Sequence, residues 1–145
     1  MRILFLCTGN SARSQMAEGL LRHLGKGKYS AFSAGSQPKS LHPMAVKAMS
    51  EIGIDISGQE SKSLEVFLGQ EFDYVITVCD RARDNCPVFP GDNERIHWSL
   101  PDPAAVEGEE DVRMKAFRLV RNQIKERILL FLSAQSKKTK SETPR

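Results

Sequence analysis

Short apolar runs alternate along this chain with longer stretches in which apolar residues recur every three or four positions. The runs at residues 2–6 and 73–79 are rich in apolar and β-branched residues, which predicts strands buried on both faces of a sheet. Weaker runs at residues 29–33 and 95–98 predict two further strands. The chain should therefore hold about four strands separated by helical segments.

Three helices are predicted by apolar residues that recur with a helical period. The first covers residues 14–24 and is stopped by Gly25, and the second covers residues 43–52, with Pro43 in its first turn. The third covers residues 111–132, where an apolar stripe lies on one side and charged residues cover much of the rest.

The alternation of strands and helices determines the fold class that we expect. Parallel strands joined by right-handed crossovers place helices on both faces of the sheet. We therefore predict an α/β fold: a single three-layer domain over residues 1–132, with a parallel sheet of about four strands flanked by helices on both faces. A chain of 145 residues can bury a sizeable core without disulfide bonds.

The last thirteen residues, 133–145, differ in composition from the rest of the chain. They hold four basic residues and one acidic residue, and they are rich in Ser, Thr and Lys. Without them the chain has 17 basic and 17 acidic residues, so the net charge of +3 comes from this tail. A segment with so few apolar residues is expected to be a disordered, solvated terminus. The balanced body argues against a nucleic-acid partner.

The apolar runs are too short for a membrane-spanning helix, which needs about 20 residues. The longest uncharged ones are residues 3–7 and 128–132, and no signal peptide is predicted at the start. We expect a cytoplasmic monomer with no membrane partner. In a reducing compartment, three cysteines do not predict a structural disulfide framework.

The first predicted strand leads into the segment CTGNSAR, which connects it to the first helix. Five residues separate Cys7 from Arg13, and the small residues among them let the loop curl so that its amide N–H groups point inward. The helix dipole adds to the field of these amides, and a guanidinium fork can close the site around a tetrahedral oxyanion. The oxyanion-binding residues predicted on this basis are Thr8, Gly9, Asn10, Ser11, Ala12, Arg13 and Ser14.

The same environment favours a thiolate, so Cys7 is predicted to be a nucleophile that faces the bound anion. Ser14 can donate a hydrogen bond to the Cys7 sulfur, and Asn10 can hold the shape of the loop. The alternative is an ordinary strand-to-helix turn with a buried cysteine, because a match to Cys-x5-Arg alone is frequent.

Two further cysteines follow the third predicted strand. Cys79 ends that strand, and Cys86 closes the polar segment CDRARDNC. Because the carboxyl ends of neighbouring parallel strands share one edge, Cys79 and Cys7 should meet there. A turn between Cys79 and Cys86 would let their sulfurs meet as well. The alternatives are two structural thiols, or a zinc site completed by His97, for which the spacing is loose.

Together these segments resemble the low-molecular-weight protein tyrosine phosphatase fold family and, within it, the arsenate reductases that are coupled to thioredoxin. The resemblance covers about residues 1–132. It is carried by four segments: LCTGNSARSQMAEG at residues 6–19, VITVCDRARDNCPVFP at residues 75–90, His97-Trp98, and Asp102-Pro103-Ala104. A phosphatase of this family needs only the first cysteine, whereas the reductases need three.

The resemblance implies a relay of three cysteines that reduces arsenate to arsenite. Cys7 attacks the arsenic, Cys79 attacks Cys7 and releases arsenite, and Cys86 then attacks Cys79. The final disulfide joins Cys79 and Cys86, and thioredoxin reduces it as an external reductant, without a bound cofactor or metal. The last exchange implies a conformational change in which a local helix between these two cysteines unwinds.

Asp102 is the general acid that the resemblance implies for the group that leaves arsenic. An Asp-Pro pair also commonly opens a turn or a helix, which is the alternative for this residue. His97 is expected to pack rather than to react, and His42 to be a surface or helix residue.

A second function would use the same loop: a low-molecular-weight phosphatase that hydrolyses phosphomonoesters with Cys7, Arg13 and Asp102. In the related phosphatases, Tyr typically follows Asp-Pro and Pro follows Arg-Ser, whereas Ala104 and Gln15 stand at these places here. Only 7% of the residues are aromatic, which also weakens the phosphatase interpretation. A third function is a non-catalytic oxyanion sensor. Phosphate and sulfate are expected to compete with arsenate for the loop.

Some reductases of this family bind potassium beside the anion loop through Asn, Glu, Ser and Asp. Asn10, Glu18 and Ser33 match three of these ligands, and Lys62 stands at the place of the fourth. An ammonium group there could occupy the place of the cation. We therefore predict that the protein has no functional potassium site.

Overall fold

The sheet has four parallel strands, as predicted. The computed structural model of the protein describes residues 1–142. The strands are β1 (Arg2–Cys7), β2 (Ser30–Gly35), β3 (Tyr74–Thr77) and β4 (Glu94–His97). They lie in the order β2-β1-β3-β4, and every neighbouring pair is parallel. The predicted α/β fold with one parallel sheet is confirmed.

The strand β1 lies at the centre, and its side chains are buried from Ile3 through Cys7. Its neighbours β2 and β3 bring Gly35 opposite Cys7 and Thr77 opposite Leu6. These pairs lie at the carboxyl edge of the sheet, where ligands bind in folds of this kind. The prediction that the first and third strands end side by side is confirmed.

Helices and short turns connect the strands. They are α1 (Arg13–Leu24), α2 (Pro43–Ser50), α3 (Asp80–Asp84) and α4 (Glu110–Glu142), with 3-10 turns at Leu64–Phe67 and Pro103–Ala105. The helix α3 lies between Cys79 and Cys86, where the resemblance implied a local helix. The 3-10 turns are not predicted, because they are too short to show a periodic pattern of apolar residues. Within the described residues, none of these helices combines the length and the apolar composition that crossing a membrane requires.

Aromatic side chains cover both faces of the sheet. On one face, Tyr74 of β3 packs edge-on against Phe131 of α4, with ring centroids 5.0 Å apart. On the other, Phe32 of β2 contacts Phe67 and Phe72, with centroids 5.6 and 5.8 Å away. Tyr74 and Phe32 are in register with successive residues of β1, so their side chains point to opposite faces. The sheet is thus the middle layer of three.

The helix α4 continues ten residues past its predicted end. Its extension is held by the sheet, because Gln135 is buried and donates to the Tyr74 hydroxyl at 2.8 Å. Lys138 donates to the same oxygen at 3.0 Å. Where composition predicts a disordered tail, the structure has a helix as far as Glu142, since composition alone does not register such contacts. Residues 143–145 of the predicted tail lie outside the described residues.

Candidate active site

The loop between β1 and α1 turns carbonyl groups outward. Backbone N–H groups of the segment after β2 hold three of them at 2.8–2.9 Å: Gln37 donates to Thr8, Lys39 to Gly9, and His42 to Ser11. The carbonyl and the N–H of one peptide unit point in opposite directions, so an outward carbonyl leaves the next amide on the concave side. Inward amides of this kind are what an anion-binding nest requires.

Asn10 supports the loop from within the protein. It is fully buried, and its φ of 48° lies in the left-handed region, which asparagine tolerates. Its side-chain amide donates to Ser14 Oγ at 2.8 Å, and its Oδ1 accepts from Gln15 Nε2 at 3.0 Å. The backbone N–H of Lys62 donates to the same Oδ1 at 2.9 Å, and Ser61 Oγ donates to the Asn10 carbonyl at 2.7 Å. Residues distant in sequence therefore fix the shape of the loop.

Gly35, the last residue of β2, allows this strand to approach the loop closely. A Cβ atom at this position would lie 2.5 Å from the Thr8 carbonyl oxygen and 2.9 Å from the Asn10 nitrogen. Both are backbone atoms, so a side chain here would displace the loop itself. The N–H of Gly35 also donates to the Lys62 carbonyl at 2.9 Å, which joins the strand to the loop's other support.

Cys7 is buried beneath the loop. Its Sγ accepts a hydrogen bond from the backbone N–H of Asn10 at 3.1 Å and lies 2.8 Å from Ser14 Oγ. Because the Ser14 oxygen already accepts from the Asn10 side chain, its own proton is available to the sulfur. Both hydrogen bonds stabilise negative charge on the sulfur.

Arg13 and Asp102 line the cavity of about 520 Å³ into which Cys7 opens. Arg13 Nη1 donates to the Leu100 carbonyl at 3.0 Å, and its Nη2 lies 4.0 Å from Asp102 Oδ2. The other carboxylate oxygen of Asp102 accepts from the N–H of Ala104 at 3.0 Å and caps a 3-10 turn. Asp102 thus opens a turn and also faces the cavity, so both interpretations of the Asp-Pro pair fit its position.

Cys79 brings a second thiol to the same cavity. It follows β3 and is buried, and its Sγ lies 3.4 Å from Thr8 Oγ1. The N–H of Ala82 donates to the same sulfur at 3.4 Å, so Cys79 caps the first turn of α3. The structure therefore places Cys79 against the anion loop.

Cys86 lies beyond α3, and its thiol donates to the Pro87 carbonyl at 3.5 Å. All three cysteines are free thiols in this structure. Burial raises the pKa of the Cys86 thiol, and Arg95 opposes this shift in part. At helical rise, Cys79 lies about 7.5 Å from Asp84, the last residue of α3, which is more than the roughly 4.4–6.8 Å between the Cα atoms of a disulfide. The structure thus brings Cys79, but not Cys86, to the loop of Cys7.

His42 is a site residue that sequence reasoning missed. It caps the start of α2, as expected of a helix residue, and it also lines the cavity beside Asp102. Its Nδ1 accepts from the backbone N–H of Met44 at 3.1 Å, and its ring packs 4.7 Å from that of Phe117. Burial and the nearby Arg113 lower the pKa of His42, and Asp102 acts in the opposite direction. A lone histidine before a helix carries no signal in the sequence that it faces a cavity.

Lys62 places its ammonium group on Glu18, which is 4% exposed. The Lys62 Nζ lies 3.8 Å from Glu18 Oε1 and donates to the Glu60 carbonyl at 2.7 Å. Ser33 Oγ donates to the same Glu18 oxygen at 2.8 Å, and Arg22 donates to the other at 2.7 Å. Two cations of the protein itself therefore balance the charge of this buried carboxylate.

Potassium is expected to leave the protein's stability unchanged, because Lys62 already supplies a cation to Glu18. The variant Lys62→Asp removes that ammonium and adds an oxygen ligand of the kind that hard cations prefer. We expect its melting temperature to rise when KCl replaces choline chloride at constant ionic strength. The matched variant Lys62→Gln should show no such rise. A clear effect of potassium on the wild-type protein would contradict this prediction.

Comparison with known proteins places this site in a family. Residues 2–142 match the low molecular weight phosphotyrosine protein phosphatase family. An arsenate reductase of Halalkalibacterium halodurans is 47% identical over 129 residues, which are 89% of this chain and 93% of that protein. The solved structure of an arsenate reductase in its phosphate-binding state has a TM-score of 0.73 and 36% identity, covering 92% of this chain and 97% of that one. A thioredoxin-dependent arsenate reductase of Corynebacterium glutamicum has a TM-score of 0.67 and 34% identity, covering 94% of this chain and 62% of that one. The resemblance is thus confirmed, and the chain belongs to the low-molecular-weight phosphotyrosine protein phosphatase family and, within it, to the arsenate reductases.

Proposed function

We propose that this protein reduces arsenate to arsenite by a relay of three cysteines, and that thioredoxin reduces the disulfide that remains. The position of Cys79 carries the proposal, since its sulfur lies 3.4 Å from Thr8 Oγ1 on the wall of the cavity that holds Cys7. A hydrolase needs one nucleophile in such a cavity. A reductase needs a second thiol that can attack the first, and Cys79 brings a thiol to the same cavity.

The first step joins arsenic to sulfur. The inward amides of the loop and the guanidinium of Arg13 bind the arsenate oxygens, and they stabilise the charge that builds up during the attack. The Cys7 thiolate forms an arsenic–sulfur bond, and a hydroxyl group leaves arsenic. Asp102 gives this group a proton, so that it departs as water. Arg13 retains donors for the anion beyond the one bound to the Leu100 carbonyl.

The second and third steps move electrons between sulfurs. The Cys79 thiolate attacks Cys7, a disulfide forms, and the electron pair of the arsenic–sulfur bond stays on arsenic, which leaves as arsenite. The Cys86 thiolate then attacks Cys79, and Cys7 departs as a thiolate. In balance, one arsenate and two thiols give one arsenite, one disulfide and one water. The helix α3 must unwind for the third step, because its length holds Cys79 and Cys86 apart.

Thioredoxin fits as the reductant of the Cys79–Cys86 disulfide. Cys86 is less buried than the other two cysteines, and the residues of α3 are exposed apart from Ala82. A dithiol reductase can therefore reach this segment once it has opened. The Corynebacterium glutamicum relative, a thioredoxin-dependent arsenate reductase, supports the same partner.

The lining of the cavity argues against an aryl phosphate as the main substrate. Its described lining contains no Phe, Tyr or Trp, and Ala104 stands on its wall directly after the Asp-Pro pair. The one aromatic ring of the described lining, the His42 imidazole, packs against Phe117, so the lining offers no pair of rings to sandwich a phenyl group. Arsenate needs no such contact, because the loop amides and Arg13 suffice for a small oxyanion.

The third step is expected to accelerate as the pH rises. Burial raises the pKa of Cys86, so its thiol is mostly protonated at neutral pH, and the thiolate is the attacking form. Below that pKa the thiolate fraction increases about tenfold per pH unit. Acid-quenched single turnovers analysed by mass spectrometry should show the Cys7–Cys79 disulfide persisting at low pH and decaying faster at high pH. A decay rate that does not change with pH would contradict this assignment.

The proposed function is tested by arsenate-dependent oxidation of NADPH with thioredoxin and thioredoxin reductase present. Steady turnover is expected for the wild-type protein, and none for Cys7→Ser, which removes the nucleophile. Omission of thioredoxin should stop the wild-type reaction. Absence of turnover, together with cleavage of p-nitrophenyl phosphate through Cys7, would overturn the proposal in favour of a phosphatase.

A further inference from the structure

The helix α3 has few internal contacts to hold it in place. It consists of five residues, Asp80–Asp84, of which only Ala82 is buried. Isolated helices of this length are unstable in water, so contacts with the rest of the protein must hold it. The position of Cys79, which caps its first turn, depends on the same contacts.

The first residue of α3 is bound to the sheet through an imidazole. His97 Nε2 lies 2.9 Å from Asp80 Oδ1, and Ser99 Oγ donates to the same oxygen at 3.3 Å. On its other side, His97 Nδ1 lies 2.7 Å from Thr77 Oγ1. His97 belongs to β4 and is in register with Thr77 of β3. Asp80 is therefore connected to two strands of the sheet.

The charge of the Asp80 carboxylate determines which side chain donates the hydrogen bond between His97 and Asp80. The hydrogen bond from His97 lowers the pKa of Asp80, so the carboxyl group is ionised and only accepts. The proton between the two side chains must then belong to Nε2 of His97. The other ring nitrogen, Nδ1, lies 2.7 Å from the Thr77 hydroxyl, which itself donates to the Ile96 carbonyl at 3.4 Å. The chain of bonds Thr77–His97–Asp80 thus holds the imidazole between β3 and α3.

We propose that Asp80 and His97 are positioning residues that hold the first turn of α3 on β4, and so keep Cys79 beside the anion loop until it has attacked Cys7. The proposal rests on the three-cysteine relay described above. Cys79 can reach Cys86 only when α3 unwinds, and unwinding carries Asp80 away from His97. The pair therefore stabilises the dithiol state and is lost in the Cys79–Cys86 disulfide state.

A contact made only in the dithiol state must shift the equilibrium between dithiol and disulfide. Its removal should favour the disulfide, which lowers the reduction potential of the Cys79–Cys86 pair. We expect a three- to tenfold shift, which corresponds to about 14–30 mV for this two-electron couple. An effect on stability alone would leave this potential unchanged.

The test uses the full chain with Cys7→Ser, so that only Cys79 and Cys86 can form an internal disulfide. The protein is equilibrated in dithiothreitol redox buffers, and the disulfide fraction is measured by mass spectrometry after thiol alkylation. His97→Ala and Asp80→Ala should each favour the disulfide three- to tenfold, and their combination should add little, because they break the same contact. His97→Gln retains an N–H donor and should restore the parent value.

Asp84→Ala is the matched control. Asp84 lies on the same helix and has nearly the same side-chain exposure, 65% against 63% for Asp80, but its carboxylate bonds to Arg83 of α3 itself. It removes the same charge without touching β4, so its potential should equal that of the parent. If every variant has the reduction potential of the parent protein, the positioning role of Asp80 and His97 is wrong. The three-cysteine relay is not affected by that outcome. A second outcome is that no Cys79–Cys86 disulfide forms, either in the parent protein in redox buffers or in the wild type during arsenate turnover. That result would overturn the relay and this proposal with it.

Discussion

Replacing Cys86 with serine should yield one equivalent of arsenite per enzyme and then stop. Cys7 and Cys79 remain in the cavity and can complete the first two steps of the proposed relay, which release arsenite. A serine hydroxyl is too weak a nucleophile to attack the resulting Cys7–Cys79 disulfide without a neighbouring base. Rapid-quench measurement of arsenite should therefore show a stoichiometric burst with no steady phase, and mass spectrometry should show the trapped disulfide.

Val88→Ser is the control for this experiment. Val88 lies two positions after Cys86 and is 84% exposed, so the substitution alters the same segment without removing a thiol. It should retain steady turnover. Hydrolysis of p-nitrophenyl phosphate, which needs Cys7 but neither of the other two cysteines, should also survive in Cys86→Ser. Undiminished arsenate turnover in Cys86→Ser would show that the third cysteine has no part in the reaction.

Gly35→Ala is expected to disable the anion loop. The new Cβ would meet the Thr8 carbonyl oxygen at 2.5 Å and the Asn10 nitrogen at 2.9 Å, so the loop backbone must move. Overpacking of this kind costs about 1–3 kcal/mol of folding stability. A displacement near 1 Å at a catalytic site can cost about 100-fold in rate, and we expect a loss of that order in kcat/KM for arsenate. Phosphate binding measured by calorimetry should weaken in parallel.

Gly58→Ala provides the comparison. A Cβ at Gly58 would meet no atom within 4 Å, so both the melting temperature and the phosphate affinity should match the wild type. Both variants add one methyl group at a glycine, and they differ in what that group meets. Wild-type phosphate affinity in Gly35→Ala would mean that the loop can shift without loss of its amide geometry.

The parts of this protein that the sequence predicts well are encoded locally. The buried strand before Cys7 shows as an apolar run, and the loop that follows shows in the spacing to Arg13. The pairing of the first and third strands follows from general rules of parallel sheets. These features place Cys7 and Cys79 at one edge before any coordinates are known.

The supports of the site are encoded by contacts between distant residues, which one sequence does not reveal. Ser61 donates to a carbonyl 51 positions away, and the imidazole of His97 binds a carboxylate 17 positions away. For His97 the sequence predicts packing rather than reaction, because composition reveals neither the register of β4 nor the residue at which α3 begins. The extension of α4 beyond residue 132 is also held by a distant contact, because Gln135 donates to the hydroxyl of Tyr74, 61 positions earlier in the chain.

The outward carbonyls of the anion loop also have a consequence for mutational tolerance. A site made of main-chain amides depends little on which side chains the loop bears, so a position such as Ser11 should accept many replacements. Sensitivity should instead concentrate at the residues that hold the backbone, above all Gly35 and Asn10. The sequence of such a protein can therefore drift at loop positions such as Ser11, while selection acts on supports such as Gly35 that lie outside the loop.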